Sequence, residues 1–128
     1  MTVLLDTHAL LWWLKDSPRL GRTARALMVD RQNTVLVSAA SIWEITTKYR
    51  IGKLSDIEAI VHDLPAVVRA EGFSLLAIAA EHAARAGLLA SDHRDPFDRV
   101  LAAQSLADGL TLLSYDEVFD SMGVTRLW

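Results

Sequence analysis

The stretch Thr2-Val3-Leu4-Leu5-Asp6-Thr7-His8 decides how the rest of the chain is read. An apolar run of strand length ends abruptly at a carboxylate. A run without polar alternation is the pattern of a strand buried on both faces, as in a parallel sheet. Thr34-Val35-Leu36-Val37-Ser38 and Leu110 to Leu113 share this grammar, and Asp116 closely follows the latter run as Asp6 follows the first. Nothing longer repeats.

Between these runs the apolar spacing turns helical. Helices are predicted over His8 to Leu14 and Thr23 to Asp30. Another is predicted from a Ser41 cap to about Ile51, where Gly52 stops it. Ile57 to Ala70 is predicted helical, divided in two by Pro65. Phe73 to Leu76 reads as a short extended piece, followed by a helix from Ala79 to Ala86 and a loop from Leu88 to Pro96. A helix over Phe97 to Ala107, a short one over Glu117 to Met122 and a terminal strand over Val124 to Leu127 complete the pattern. Strands separated by helices imply a parallel sheet with helices on both faces. The expected fold is therefore an α/β/α sandwich around a mainly parallel sheet of four to five strands, in a single domain spanning 1–128.

The chain has 128 residues, enough for one domain with a substantial core. Its hydrophobic fraction is 52%, mostly Ala, Leu and Val, which also hints that another chain covers some apolar surface. The net charge of -3 means that nucleic acid would have to meet a local basic patch. Absence of cysteine excludes thiol catalysis, disulfides and cysteine zinc sites. No leader and no membrane-length apolar run stands out, so a soluble, cytoplasmic protein is expected.

Four acids, Asp6, Glu44, Asp98 and Asp116, fall where they would face the carboxyl edge of one sheet, the edge at which open α/β sheets bind ligands. Grouped carboxylates repel one another unless protons or a cation intervene, and a hard divalent ion is the simplest remedy. Each acid also has an ordinary explanation. Asp6 and Asp116 suit helix N-caps, and Glu44 suits a capping box with a surface pair to Lys48. His93-Arg94-Asp95-Pro96-Phe97-Asp98-Arg99 suits a solvated turn in which Asp95 caps the helix.

Taken in order, these motifs resemble the PIN-domain ribonucleases, and most closely the VapC-type toxins of type II toxin–antitoxin pairs. The stretches that carry the likeness are Leu5-Asp6-Thr7-His8-Ala9-Leu10-Leu11-Trp12, Ser41-Ile42-Trp43-Glu44-Ile45 with Lys48 and Gly52-Lys53-Leu54, Asp95-Pro96-Phe97-Asp98-Arg99 with Ala102-Ala103-Gln104, and Leu113-Ser114-Tyr115-Asp116. The resemblance implies an Mg²⁺- or Mn²⁺-dependent endoribonuclease acting on single-stranded or looped RNA, with Asp6, Glu44, Asp98 and Asp116 as catalytic, metal-binding acids. Ser114, Thr7 and Asp95 are implied as supporting residues. It further implies homodimerisation and a cognate antitoxin. Lys48, Lys53, Arg94 and Arg99 are candidates for a phosphate-binding rim, each equally explicable as solvated helix charge.

Other readings fit less well. A receiver domain would need an acid after the central strand, where Ser38-Ala39-Ala40 stands, and a haloacid-dehalogenase-like phosphatase would need one at His8. His93-Arg94-Asp95 imitates a kinase loop, but Val100 replaces the required Asn. The competing non-enzymatic reading is a catalytically inactive PIN-like interaction module.

Overall fold

The computed structural model covers residues 1–128. Its sheet comprises β1 (Thr2–Leu5), β2 (Thr34–Ser38), β3 (Ser74–Leu76), β4 (Thr111–Leu113) and β5 (Arg126–Leu127). All neighbours pair in parallel, in the order β3-β2-β1-β4-β5. The helices are α1 (Thr7–Leu14), α2 (Arg22–Val29), α3 (Ala39–Arg50), α4 (Leu64–Ala70), α5 (Ala80–Leu88) and α6 (Pro96–Asp108). Single 3₁₀ segments occupy Val61–Asp63 and Glu117–Met122. The expected sandwich is thus present, with five strands, the upper end of the expected four to five, and every pair parallel.

Burial explains why the strands lack alternation. Val3, Leu5, Val35, Val37 and Leu113 point into one core cluster, closed by residues of α1, α2 and α4. Leu4, Leu112 and Leu101 point into a second cluster on the opposite face, against Phe119 and Met122. With both faces covered, every position must be apolar.

The chain winds from β1 through β2 to β3 on one side, then returns to β4 and β5 on the other. The reversal falls between β1 and β4, so their carboxyl ends open onto one crevice. The Asp6 N–H donates to the Leu113 carbonyl at 3.1 Å, carrying the β1–β4 ladder up to the first acid.

Several boundaries differ from the sequence expectation. Helix α3 is capped by Ser38, whose side chain accepts from the Ala40 N–H, and Ser41 is not the cap. Strand β2 therefore passes into α3 with no loop, and Ser41 and Glu44 become buried residues on its inner face. Pro65 lies in the first turn of α4 instead of dividing two full helices, because its missing N–H costs nothing there. The last strand is also shorter than expected, covering only Arg126–Leu127.

Candidate active site

Asp6 leaves β1 and caps α1. It is buried (4% exposed), and its Oδ1 accepts the Ala9 N–H at 2.7 Å. Asp116 repeats the arrangement beyond β4, accepting the Val118 N–H at 3.0 Å. Ser114, fully buried at the end of β4, links the two: its Oγ accepts the Asp116 N–H at 3.0 Å, and its hydroxyl stabilises charged Asp6. The capping and site readings of these acids are therefore compatible, since a single oxygen of each serves the cap.

Glu44 approaches from α3 and is also 4% exposed. The Thr7 hydroxyl donates to its Oε1 at 2.6 Å and lies 3.1 Å from the Ser41 hydroxyl. Its Oε2 is paired with the Lys48 ammonium one turn later. Asp98 stands in the first turn of α6, 2.8 Å from the His93 Nε2. Asp95 caps that helix through the Phe97 and Asp98 N–H groups, at 2.9 and 3.1 Å.

The acids influence one another through the crevice. Burial pushes the Asp6 carboxyl up to about 6; Ser114 and the Ala9 N–H oppose the rise, and the charges of Asp116 and Glu44 add to it. Burial likewise pushes Asp98 up to about 6, resisted by His93 and reinforced by Asp95 and Glu44. Burial works against charged Lys48, yet the Glu44 hydrogen bond and charge, with Asp95 and Asp98 beyond, hold its pKa above the ordinary value. These directions follow from desolvated like charges sharing one low-dielectric region.

Glu44 is the common neighbour: its charge reaches Asp6, beside Asp116, on one side and Asp98, beside Asp95, on the other. No three acidic or imidazole side chains converge into a ready-made ion cage. The donor set nevertheless suits a hard cation: it is all oxygen, it lacks thiolate, and in two of its members burial first, then neighbouring acids, disfavours the bare charge that a cation would offset. A cation that retains several waters needs only two or three direct carboxylates.

The basic candidates divide. Lys48 is held by Glu44. Together with the exposed Lys53 it lines a cleft of about 370 Å³ that also includes Thr7 and His8. Arg94 is exposed beside His93. The Arg99 guanidinium is occupied by the backbone carbonyls of Ala86, Gly87, Leu89, Ser91 and His93, at 2.8 to 3.5 Å, which leaves it poorly placed for phosphate. Its job is to tie down the loop that carries His93.

The sequence offers His8 and Trp12 singly as substrate contacts, but it does not reveal that they join Tyr115 and Trp128 in one aromatic cluster. The rings of His8, Trp12 and Tyr115 lie 5.4 to 6.2 Å apart, with Trp128 behind Trp12 and Tyr115. The proximity of His8 and Tyr115 to the acids in sequence was a usable signal; the arrival of Trp128 was not.

The PIN domain family profile matches residues 3–124. Over 71 residues the chain is 41% identical to Ribonuclease VapC16 of Mycobacterium tuberculosis (strain ATCC 25618 / H37Rv), a stretch covering 52% of this chain and 50% of that protein. The match thus spans about half the length of this curated relative. Among solved structures, VapBC2 of Rickettsia felis bound to a promoter DNA fragment superposes with a TM-score of 0.74 at 17% identity, covering 100% of this chain and 99% of the other. VapC20 of Mycobacterium tuberculosis, a sarcin-ricin loop cleaving toxin, gives 0.71 at 17% identity and 98% coverage of each chain. FitAcB of Neisseria gonorrhoeae gives 0.70 at 18% identity, covering 100% and 97%.

Proposed function

The chain belongs to the PIN-domain family, and on that premise we propose that it is a metal-dependent endoribonuclease, the toxin of a type II toxin–antitoxin pair. The observation that carries this reading is the crevice between β1 and β4, where buried Asp6 meets the fields of Asp116 and Glu44. The ribonuclease relative and the toxin–antitoxin neighbours support the same class of activity and an antitoxin partner. A fold without this charged crevice could host many other functions.

Asp6, Asp98 and Asp116 would hold Mg²⁺ or Mn²⁺, with Glu44 completing the site directly or through water. When bound, such an ion lowers the pKa of a coordinated water and neutralises charge on a phosphodiester. The residues of this chain prepare the site. Ser114 and the amides at Ala9 and Val118 fix the two strand-end carboxylates, favouring one orientation. Thr7 and Lys48 fix Glu44. Buried walls keep the local dielectric low, which strengthens every charge interaction at the site. Lys53 and Arg94, both exposed at the rim, would attract the RNA backbone. Unpaired RNA is the expected substrate, because a splayed strand can enter a crevice that a duplex cannot.

The test is cleavage of single-stranded RNA with Mn²⁺ or Mg²⁺ by the purified protein. Loss of cleavage in EDTA and in both Asp6→Asn and Asp98→Asn, with unchanged circular dichroism, supports the reading. Cleavage that survives in both variants rejects the metal mechanism. Antitoxin binding without any RNA cleavage favours the interaction module.

A further inference from the structure

Asp6 and Asp116 each have an aromatic neighbour close in the chain, His8 and Tyr115, and the fold brings those two rings together. Their centroids lie 6.2 Å apart, nearly perpendicular. Trp12 sits 5.4 Å from both, and Trp128 sits 5.7 Å from Trp12 and 6.1 Å from Tyr115. The back of the cluster is fixed. Gly21 packs so closely on Trp128 that an added Cβ would lie 2.7 Å from its Cδ1. The front is open: Tyr115 is 51% exposed and His8 is exposed.

An aromatic group with a closely packed back and an open face beside the proposed phosphodiester site has an evident use. We propose that His8, Trp12 and Tyr115, backed by Trp128, form a stacking platform that receives one unpaired base of the substrate beside the scissile phosphate. The proposal rests on the endoribonuclease reading above and adds a base-binding subsite to it. Single-stranded RNA is favoured as the occupant by continuity with the acids. His8 lines one cleft with Thr7, Glu44 and Lys48, and the Tyr115 ring lies 6.2 Å from that of His8, so a strand that occupies the cleft would meet these rings. Stacking tolerates any base because every base offers a π face. The imidazole of His8 and the hydroxyl of Tyr115 add polar groups able to meet base edges.

The test combines removal of the ring with removal of the base. Binding of a fluorescein-labelled single-stranded RNA of mixed sequence is followed by anisotropy in EDTA, alongside a set in which one base at a time is made abasic. The same proteins are assayed for cleavage with Mn²⁺ and for size by gel filtration. Wild type should bind at least one abasic RNA about tenfold more weakly, and Tyr115→Ala should bind intact RNA about tenfold more weakly. In Tyr115→Ala that abasic change should become neutral, while Tyr115→Phe should retain binding. His8→Ala, an exposed change, provides a second variant with the same expectation at reduced size. In cleavage, Tyr115→Ala should raise KM more than it lowers kcat.

Additive losses, or intact-RNA binding by Tyr115→Ala equal to wild type, overturn the platform while leaving the ribonuclease reading standing if wild type still cleaves. Unchanged RNA binding with a dimer dissociated by Tyr115→Ala shows that a second copy covers the rings, which also overturns it. A wild-type protein that neither binds nor cleaves any RNA removes the ribonuclease reading, and the platform with it.

Discussion

Asp6 and Asp116 sit at strand ends and cap the turns that follow, each accepting a backbone N–H. Glu44 and Asp98 come from helices and are met by side chains, the Lys48 ammonium and the His93 imidazole. The two halves of the crevice are thus built with different stiffness. A backbone donor is fixed by the strand and helix on either side of it. Lysine and histidine side chains can rotate away, so Glu44 and Asp98 can change partner without disturbing the sheet. The strand half is held by main-chain donors and the helix half by side chains.

The sharpest way to break that contrast is to neutralise one acid at a time. Asp6→Asn keeps a capping oxygen but removes the charge, and should lower RNA cleavage by roughly 10²–10³-fold, the scale of losing one preorganised charged group. Glu44→Gln should lower it by only about 10–100-fold, because both Glu44 oxygens are already engaged and it acts largely by support. Equal losses in single-turnover assays would erase the distinction between the halves.

Stability against pH gives the next largest effect. Asp6 and Asp98 bind protons up to about pH 6 in the fold, whereas an unperturbed carboxyl releases them near 3.8. Between these values the folded chain holds more protons than the unfolded chain, so stability falls as pH rises from about 4 to 6. For Asp6 the loss amounts to about 2–3 kcal/mol. Thermal melts in EDTA should show this fall, with less slope in Asp6→Asn. Mg²⁺ or Mn²⁺ should restore stability more at pH 7.5 than at pH 5. A metal-free protein whose Tm climbs steadily from pH 4 to 7 would contradict the raised carboxyls.

Lys48→Met isolates the helix half. It leaves the buried Glu44 charge without its ammonium and should destabilise the metal-free protein by about 1–2 kcal/mol. That is less than for a fully buried pair, because Lys48 is partly solvated. The double variant with Glu44→Gln should recover most of the loss in urea titrations. Arg99→Lys is expected to have the smallest effect, about 1 kcal/mol, since one ammonium cannot reach five carbonyls. Hydrogen exchange should show faster opening over residues 86–93 in that variant, with α1 unchanged.

The same contrast explains how legible the molecule was. Strand-end acids were readable because an apolar run ending in aspartate is a local pattern, and the sheet edge follows from parallel topology. Asp95 as a cap and Asp98 in the first turn followed from Pro96. Ser41 was misread as a cap because the direct passage from β2 into α3 leaves no loop in the sequence to mark it. Arg99 looked like a phosphate ligand because nothing local reveals the five carbonyls that a folded loop turns toward it.

By itself the order of apolar runs, caps and acids determined an α/β sandwich with carboxylates at one edge, because burial on both faces and backbone capping are decided within a few residues. Tertiary structure alone decided that the Glu44 end of its pair with Lys48 is buried, that His93 meets Asp98 and that Trp128 backs Tyr115 and Trp12. Side-chain pairing depends on distances of a few ångströms between segments far apart in the chain, and only the packed sheet and helices fix those distances.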